Sequence, residues 1–177
     1  MKINVTDTIA FPRDHAFTTY RDKLASLVTY LPNVEKIEVL EREELANGDT
    51  RLLNLWKASA TDIPSLLRAF VKPEMLQWKD YAVWHNGEFT CSWRTEIGFL
   101  KDAINVEGKN RFEAVGDHSM KIVISGDITV NAKKIPGVPG LLAGKIGPAV
   151  EGFVVKLITP NLQEVNRGLA KYLKDHG

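Results

Sequence analysis

At 177 residues the chain suits a single domain, since one core serves about 100–200 residues and division is expected only beyond about 250. Its 23 Lys and Arg nearly balance 22 Asp and Glu, so no long-range field draws a polyanion, and nucleic acid is excluded as an expected partner. Cys91, the single cysteine, excludes an internal disulfide and points to a reducing, cytoplasmic setting, while the 44% hydrophobic and 25% charged fractions are those of an ordinary globular protein. The first fifteen residues hold no apolar run of signal-peptide length, and Glu151 and Lys156 interrupt the most apolar stretch before it could span a membrane.

In chain order, Ile3, Val5, Ile9 and Phe11 alternate with polar or small residues, with Asp7 breaking the pattern, which predicts a half-buried strand. After Pro12, Tyr20, Leu24, Leu27, Val28 and Leu31 form one helical stripe that Pro32 ends. Val34 to Leu45 and Thr50 to Ser59 read as a hairpin around Asn47-Gly48-Asp49, and residues 62–70 as a short helix capped by Asp62.

From Tyr81 to Ile97, Asn86-Gly87 divides two alternating runs as a two-residue turn would. That turn sets Trp84 opposite Phe89, Ala82 opposite Cys91 and Asp80 opposite Trp93. One face then carries Trp84, Phe89, Cys91, Trp93 and Ile97; the other carries His85, Ser92 and Arg94 and suits solvent. Two further strands follow, Ile104 to Ala114 and Met120 to Val130, with Gly116-Asp117 between them.

A Pro/Gly-rich connection, 135–148, is apolar for a loop. From Pro148 onward Val150, Phe153, Leu157, Leu162, Val165, Leu169 and Leu173 recur at helical spacing, so a long C-terminal helix is expected, kinked or split at Pro160. It is the one element long enough to lie across a curved sheet. The expected class is α+β: six to seven antiparallel strands wrapped around that helix, with space between them for a ligand.

This order of elements resembles the helix-grip fold of the START-related superfamily, which includes plant pathogenesis-related ligand binders, lipid-transfer domains, polyketide cyclases and coenzyme Q-binding proteins. Segments 11–17 (FPRDHAF), 30–34 (YLPNV) and 93–96 (WRTE) look like bacterial members described as cyclase-like or SRPBCC proteins. The resemblance covers nearly the whole chain. It carries no catalytic signature, and fold alone does not set function.

Common hydrolytic, phosphate-binding and metal-ligand motifs are absent, though a catalytic triad needs no local motif. The four histidines are scattered, so neither metal nor cofactor is expected. Trp56, Trp84, Phe89, Trp93 and Phe112 share the inward parity. Because tryptophan carries an N–H that needs a partner when buried, several of them suit a cavity with polar points better than a plain core. Asp7, Asn54, Asp80 and Asn110 also fall inward, and the mid-strand Asn54 and Asn110 are the better candidates for meeting a ligand.

The leading expectation is a binder of a hydrophobic or amphipathic small molecule, lined by Asn54, Trp56, Asp80, Trp84, Phe89, Trp93, Asn110, Phe112, Phe153 and Leu157. A second is a cyclase or dehydratase using Asp80, Asp7 or His85 as acid or base. A third is an interaction module whose apolar loop, 135–146, docks on a protein or touches a membrane.

Overall fold

The computed structural model describes residues 1–59, 76–98, 101–134 and 143–177, with the side chains of residues 132, 143 and 145–160 outside that description. Seven strands, β1 (Lys2–Ile9), β2 (Val34–Glu44), β3 (Thr50–Ala58), β4 (Gln77–His85), β5 (Thr90–Ile97), β6 (Ile104–Ala114) and β7 (Met120–Val130), form one antiparallel sheet. Their order is β1-β7-β6-β5-β4-β3-β2. Each consecutive pair from β2 to β7 lies side by side and antiparallel, and β1 pairs with β7. The helices are α1 (Arg13–Lys23), continued by a 3₁₀ segment (Leu24–Tyr30), and α2 (Ala143–His176).

Alternation places the apolar residues as expected. Ile3, Val5 and Ile9 of β1, Val106 and Phe112 of β6, and Ile122, Ile124 and Ile128 of β7 are buried on the inner face. Val165, Leu169 and Leu173 of α2 are buried too, and among the described residues α2 contacts β1, β7, α1, the 3₁₀ segment and a short 3₁₀ turn, Ala132–Lys134. Asn166 of α2 donates to Asp7 Oδ2 at 2.6 Å, tying the helix to β1. No helix among the described residues is long and apolar enough to cross a membrane.

Four expectations are corrected. The stripe through Leu31 is not one helix: it tightens to 3₁₀ at Leu24, yet Phe17, Tyr20, Leu24, Leu27 and Leu31 all remain buried. The α2 helix begins at Ala143 rather than Pro148, so part of the apolar connection is helical, which accounts for its unusual composition. It is also unbroken at Pro160, where proline removes one of its many i to i−4 bonds without dividing the element. The β4–β5 connection spans Asn86 to Phe89, with His85 opposite Thr90, Trp84 opposite Cys91, Ala82 opposite Trp93 and Asp80 opposite Thr95.

Asn86 is drawn away from a tight turn. Its side chain donates to Gly48 O and Thr50 Oγ1, and its N–H donates to Asp49 Oδ1. Phe89 closes the loop at φ 53°. The register moves by two residues, and because side chains alternate with period two every residue stays on its expected face. The helix expected at 62–70 and residues 135–142 of the apolar connection lie outside the described residues.

Candidate functional site

Neighbouring strands bring Asn54, Asp80 and Thr95 into one inner-face row, with Trp56, Trp78 and Ile97 forming the next. Asn54 is fully buried, and its Nδ2 donates to Asp80 Oδ2 at 3.1 Å. Its Oδ1 has no partner among the described residues. The Trp56 indole N–H is also buried and meets no acceptor in full hydrogen-bonding geometry among the described residues, although it lies close enough to favour the Asp80 carboxylate. Trp56 stacks on Trp78 with ring centroids 5.7 Å apart.

Asp80 is enclosed by protein atoms yet keeps some solvent contact, as do Trp78, Trp93, Thr95 and Ile97. Enclosure pushes its pKa from 3.8 to about 6, against the hydrogen bond from Asn54. Burial pushes up the pKa of two buried neighbours, the Tyr20 hydroxyl and the Cys91 thiol, and the charge on Asp80 adds to this. Cys91 is therefore a buried neutral thiol.

Trp93 is held differently. Its indole Nε1 donates to Asn110 Oδ1 at 2.7 Å, and its ring lies over Gly108 and Gly126, paired glycines of β6 and β7. A Cβ on Gly108 would meet the ring at 2.5 Å and collide with the Ser125 carbonyl. Here glycine is required by close approach rather than by backbone dihedrals.

The expected lining residues thus occupy two environments. Asn54, Trp56, Asp80 and Trp93 border the accessible part of the inner face. Trp84, Phe89 and Phe112 pack edge-on around Phe17 of α1, at centroid distances of 5.2, 5.3 and 5.1 Å, and Trp84 and Phe112 also contact Tyr20. Asn110 is the acceptor that fixes Trp93. The side chains of Phe153 and Leu157 lie outside the described residues. Trp78 and Thr95 were missed from the sequence, although their parity with Asp80 and Trp93 was the signal that could have found them.

Two acid–base candidates sit elsewhere. Asp7, within β1, accepts from Asn166 beneath α2. His85 points to the outer face, where it meets Asp49 and Ser92. No group of metal-ligating side chains occurs among the described residues.

No family model and no curated protein matches the sequence. Solved structures do. A START superfamily protein from Mycobacterium smegmatis superposes at TM-score 0.57 with 14% identity, covering 99% of both chains. The fold is START/SRPBCC-like. Within it, the Zhui aromatase/cyclase from Streptomyces sp. R1128 matches at TM-score 0.69 and 13% identity over 98% of this chain and 93% of that one. Norcoclaurine synthase from Thalictrum flavum, solved with dopamine and hydroxybenzaldehyde, matches at TM-score 0.65 and 16% identity over 100% of this chain and 88% of that one. At such identities the likeness concerns the fold, and chemistry rests on the site itself.

Proposed function

We propose that the chain is one START-like domain over residues 1–177 that binds a hydrophobic or amphipathic small molecule, such as a lipid, quinone or polyketide-like compound, between the inner sheet face and α2. The observation that carries this reading is a pair of buried, unpartnered polar atoms, Asn54 Oδ1 and Trp56 Nε1, beside a carboxyl that keeps solvent contact. A buried polar group without a partner costs about 1–3 kcal/mol, and a ligand hydroxyl, which both donates and accepts, would satisfy both atoms. Trp93 and Trp78 offer flat apolar walls beside them, and each buried ligand CH₂ adds about 0.8 kcal/mol. Trp84, Phe89, Asn110 and Phe112 would form the packed floor. The single thiol supports a cytoplasmic setting.

Native mass spectrometry of the protein as purified, followed by a melting-temperature panel of lipids and flat hydrophobes on delipidated protein, tests the proposal. A retained compound, or a hit whose stabilisation is lost in Asn54→Leu, is expected. No retained compound and no stabilising hit would contradict it.

Asp80 favours a second reading, a cyclase- or dehydratase-like enzyme. A carboxyl with a pKa near 6 exchanges protons readily at neutral pH, and it lies beside the proposed ligand position. The reading requires turnover of a polyketide-like substrate that Asp80→Asn abolishes while binding persists.

A further inference from the structure

We propose that Ser92, His85 and Asp49 form a nucleophilic serine site on the outer face of the sheet, one that accepts acyl groups from small activated esters. Asp49 Oδ2 lies 2.8 Å from His85 Nδ1, and His85 Nε2 lies 3.3 Å from Ser92 Oγ. The protonation pattern follows from the partners. The hydrogen bond from His85 holds Asp49 below the usual carboxylate range, assisted by Asn47 Nδ2 and the Asn86 N–H, so at neutral pH Asp49 only accepts. Nδ1 must then carry the proton. In the neutral ring Nε2 is left with its lone pair toward Ser92, which is the arrangement a general base needs to activate a hydroxyl. A separation of 3.3 Å is within the looseness usual before substrate binds.

The surroundings are consistent with access. Side-chain exposure is 29% at His85 and 13% at Asp49, so the imidazole is reachable and its carboxylate partner is sheltered. Ser92 borders an open outer-face groove of about 780 Å³, together with Tyr81, Arg94, Glu107 and Lys109. Lys109 stands directly opposite Ser92 on β6, and Arg94 follows two residues on along the same face, its guanidinium 4.4 Å from the Tyr81 ring centre. Lys109 lies 3.6 Å from Glu88 and Arg94 3.7 Å from Glu96, both loose, partly exposed pairs, so these two cations are the nearest charges that could turn toward a developing oxyanion.

In the step proposed, Ser92 Oγ bonds to the ester carbonyl carbon as its proton passes to His85 Nε2. The bond to the leaving oxygen then breaks and that oxygen takes the proton from Nε2. Water reverses the sequence, releasing a carboxylic acid and free Ser92. Asp49 is a positioning residue.

The test is labelling of the full chain with a fluorophosphonate, in which Oγ bonds to phosphorus and fluoride departs, read by peptide mass mapping alongside p-nitrophenyl acetate hydrolysis. An adduct on Ser92 is expected, absent in Ser92→Ala and reduced at least tenfold in His85→Gln at unchanged melting temperature. Asp49→Asn should slow labelling at least tenfold, and Asp49→Glu should recover part of the rate, which a role confined to holding the turn would not produce. No adduct on Ser92, or labelling unaffected by His85→Gln, would overturn the proposal.

Discussion

The inner face of the sheet has two halves built from the same alternating pattern. Along β1, β6 and β7, Val5, Val106, Phe112, Ile122, Ile124 and Ile128 lie within 0–4% exposure. Along β4 and β5, the inward Trp78, Asp80, Trp93, Thr95 and Ile97 retain solvent contact, whereas Ala82, Trp84 and Cys91 nearer the β4–β5 loop are buried with the first half. The first half is mostly β-branched or aromatic, its inward Asp7 and Asn110 are paired with Asn166 and Trp93, and it receives the buried stripe of α2. The second has tryptophans, a carboxyl and an amide with an unmet acceptor. Periodicity decides which side chains face inward. Their chemistry decides whether that interior closes on itself or stays available to another molecule.

Substitutions can break this comparison. Ile124→Ala, in the filled half, should cost about 3–4 kcal/mol in urea unfolding, because it leaves a cavity where nothing can relax inward, whereas Ile97→Ala should cost under about 1 kcal/mol. Equal losses would mean that the two halves are packed alike. Gly108→Ala should cost about 2–3 kcal/mol and alter Trp93 fluorescence, since the added methyl would occupy the space of its ring.

Asp80 gives the opposite sign. Between pH 3.8 and about 6 the folded chain holds a proton that the unfolded chain has lost, so stability falls as pH rises through that window and the full cost persists above it. Asp80→Asn should therefore stabilise the protein at pH 7.5 by about 1–2 kcal/mol, less than the full gap implies because the side chain keeps water contact, and should have little effect at pH 3.5. A destabilised variant at pH 7.5 would refute the assignment. The smallest effect is expected from Asn110→Ala, which frees the Trp93 N–H into an accessible region at a cost of about 1 kcal/mol, read from melting curves.

The strand set, the six strands following β1, and the inward parity of Trp56, Asp80, Trp93 and Asn110 were legible because a period of two survives errors in register. The β4–β5 loop shows this directly: Asn86 bonds to Gly48 and Thr50 from another hairpin, a tertiary contact that no local turn preference contains, and the resulting even shift leaves both faces intact. The division into filled and open halves was not legible, because it depends on where α2 rests. Nor was the roof of helix over Asp7, supplied by Asn166 from 159 residues away. The grouping of Asp49, His85 and Ser92 likewise arises from two turns meeting in space.

The four tryptophans give the most direct measurement, because all face inward, with Trp84 packed against Phe17 and the other three beside the open part of the face. In ¹H–¹⁵N spectra, titration with the strongest stabilising hydrophobe should shift the indole N–H signals of Trp56, Trp78 and Trp93 and leave that of Trp84, packed against Phe17, in place. A ligand that moves Trp84 while leaving the other three unchanged, or moves none of them, would contradict the account.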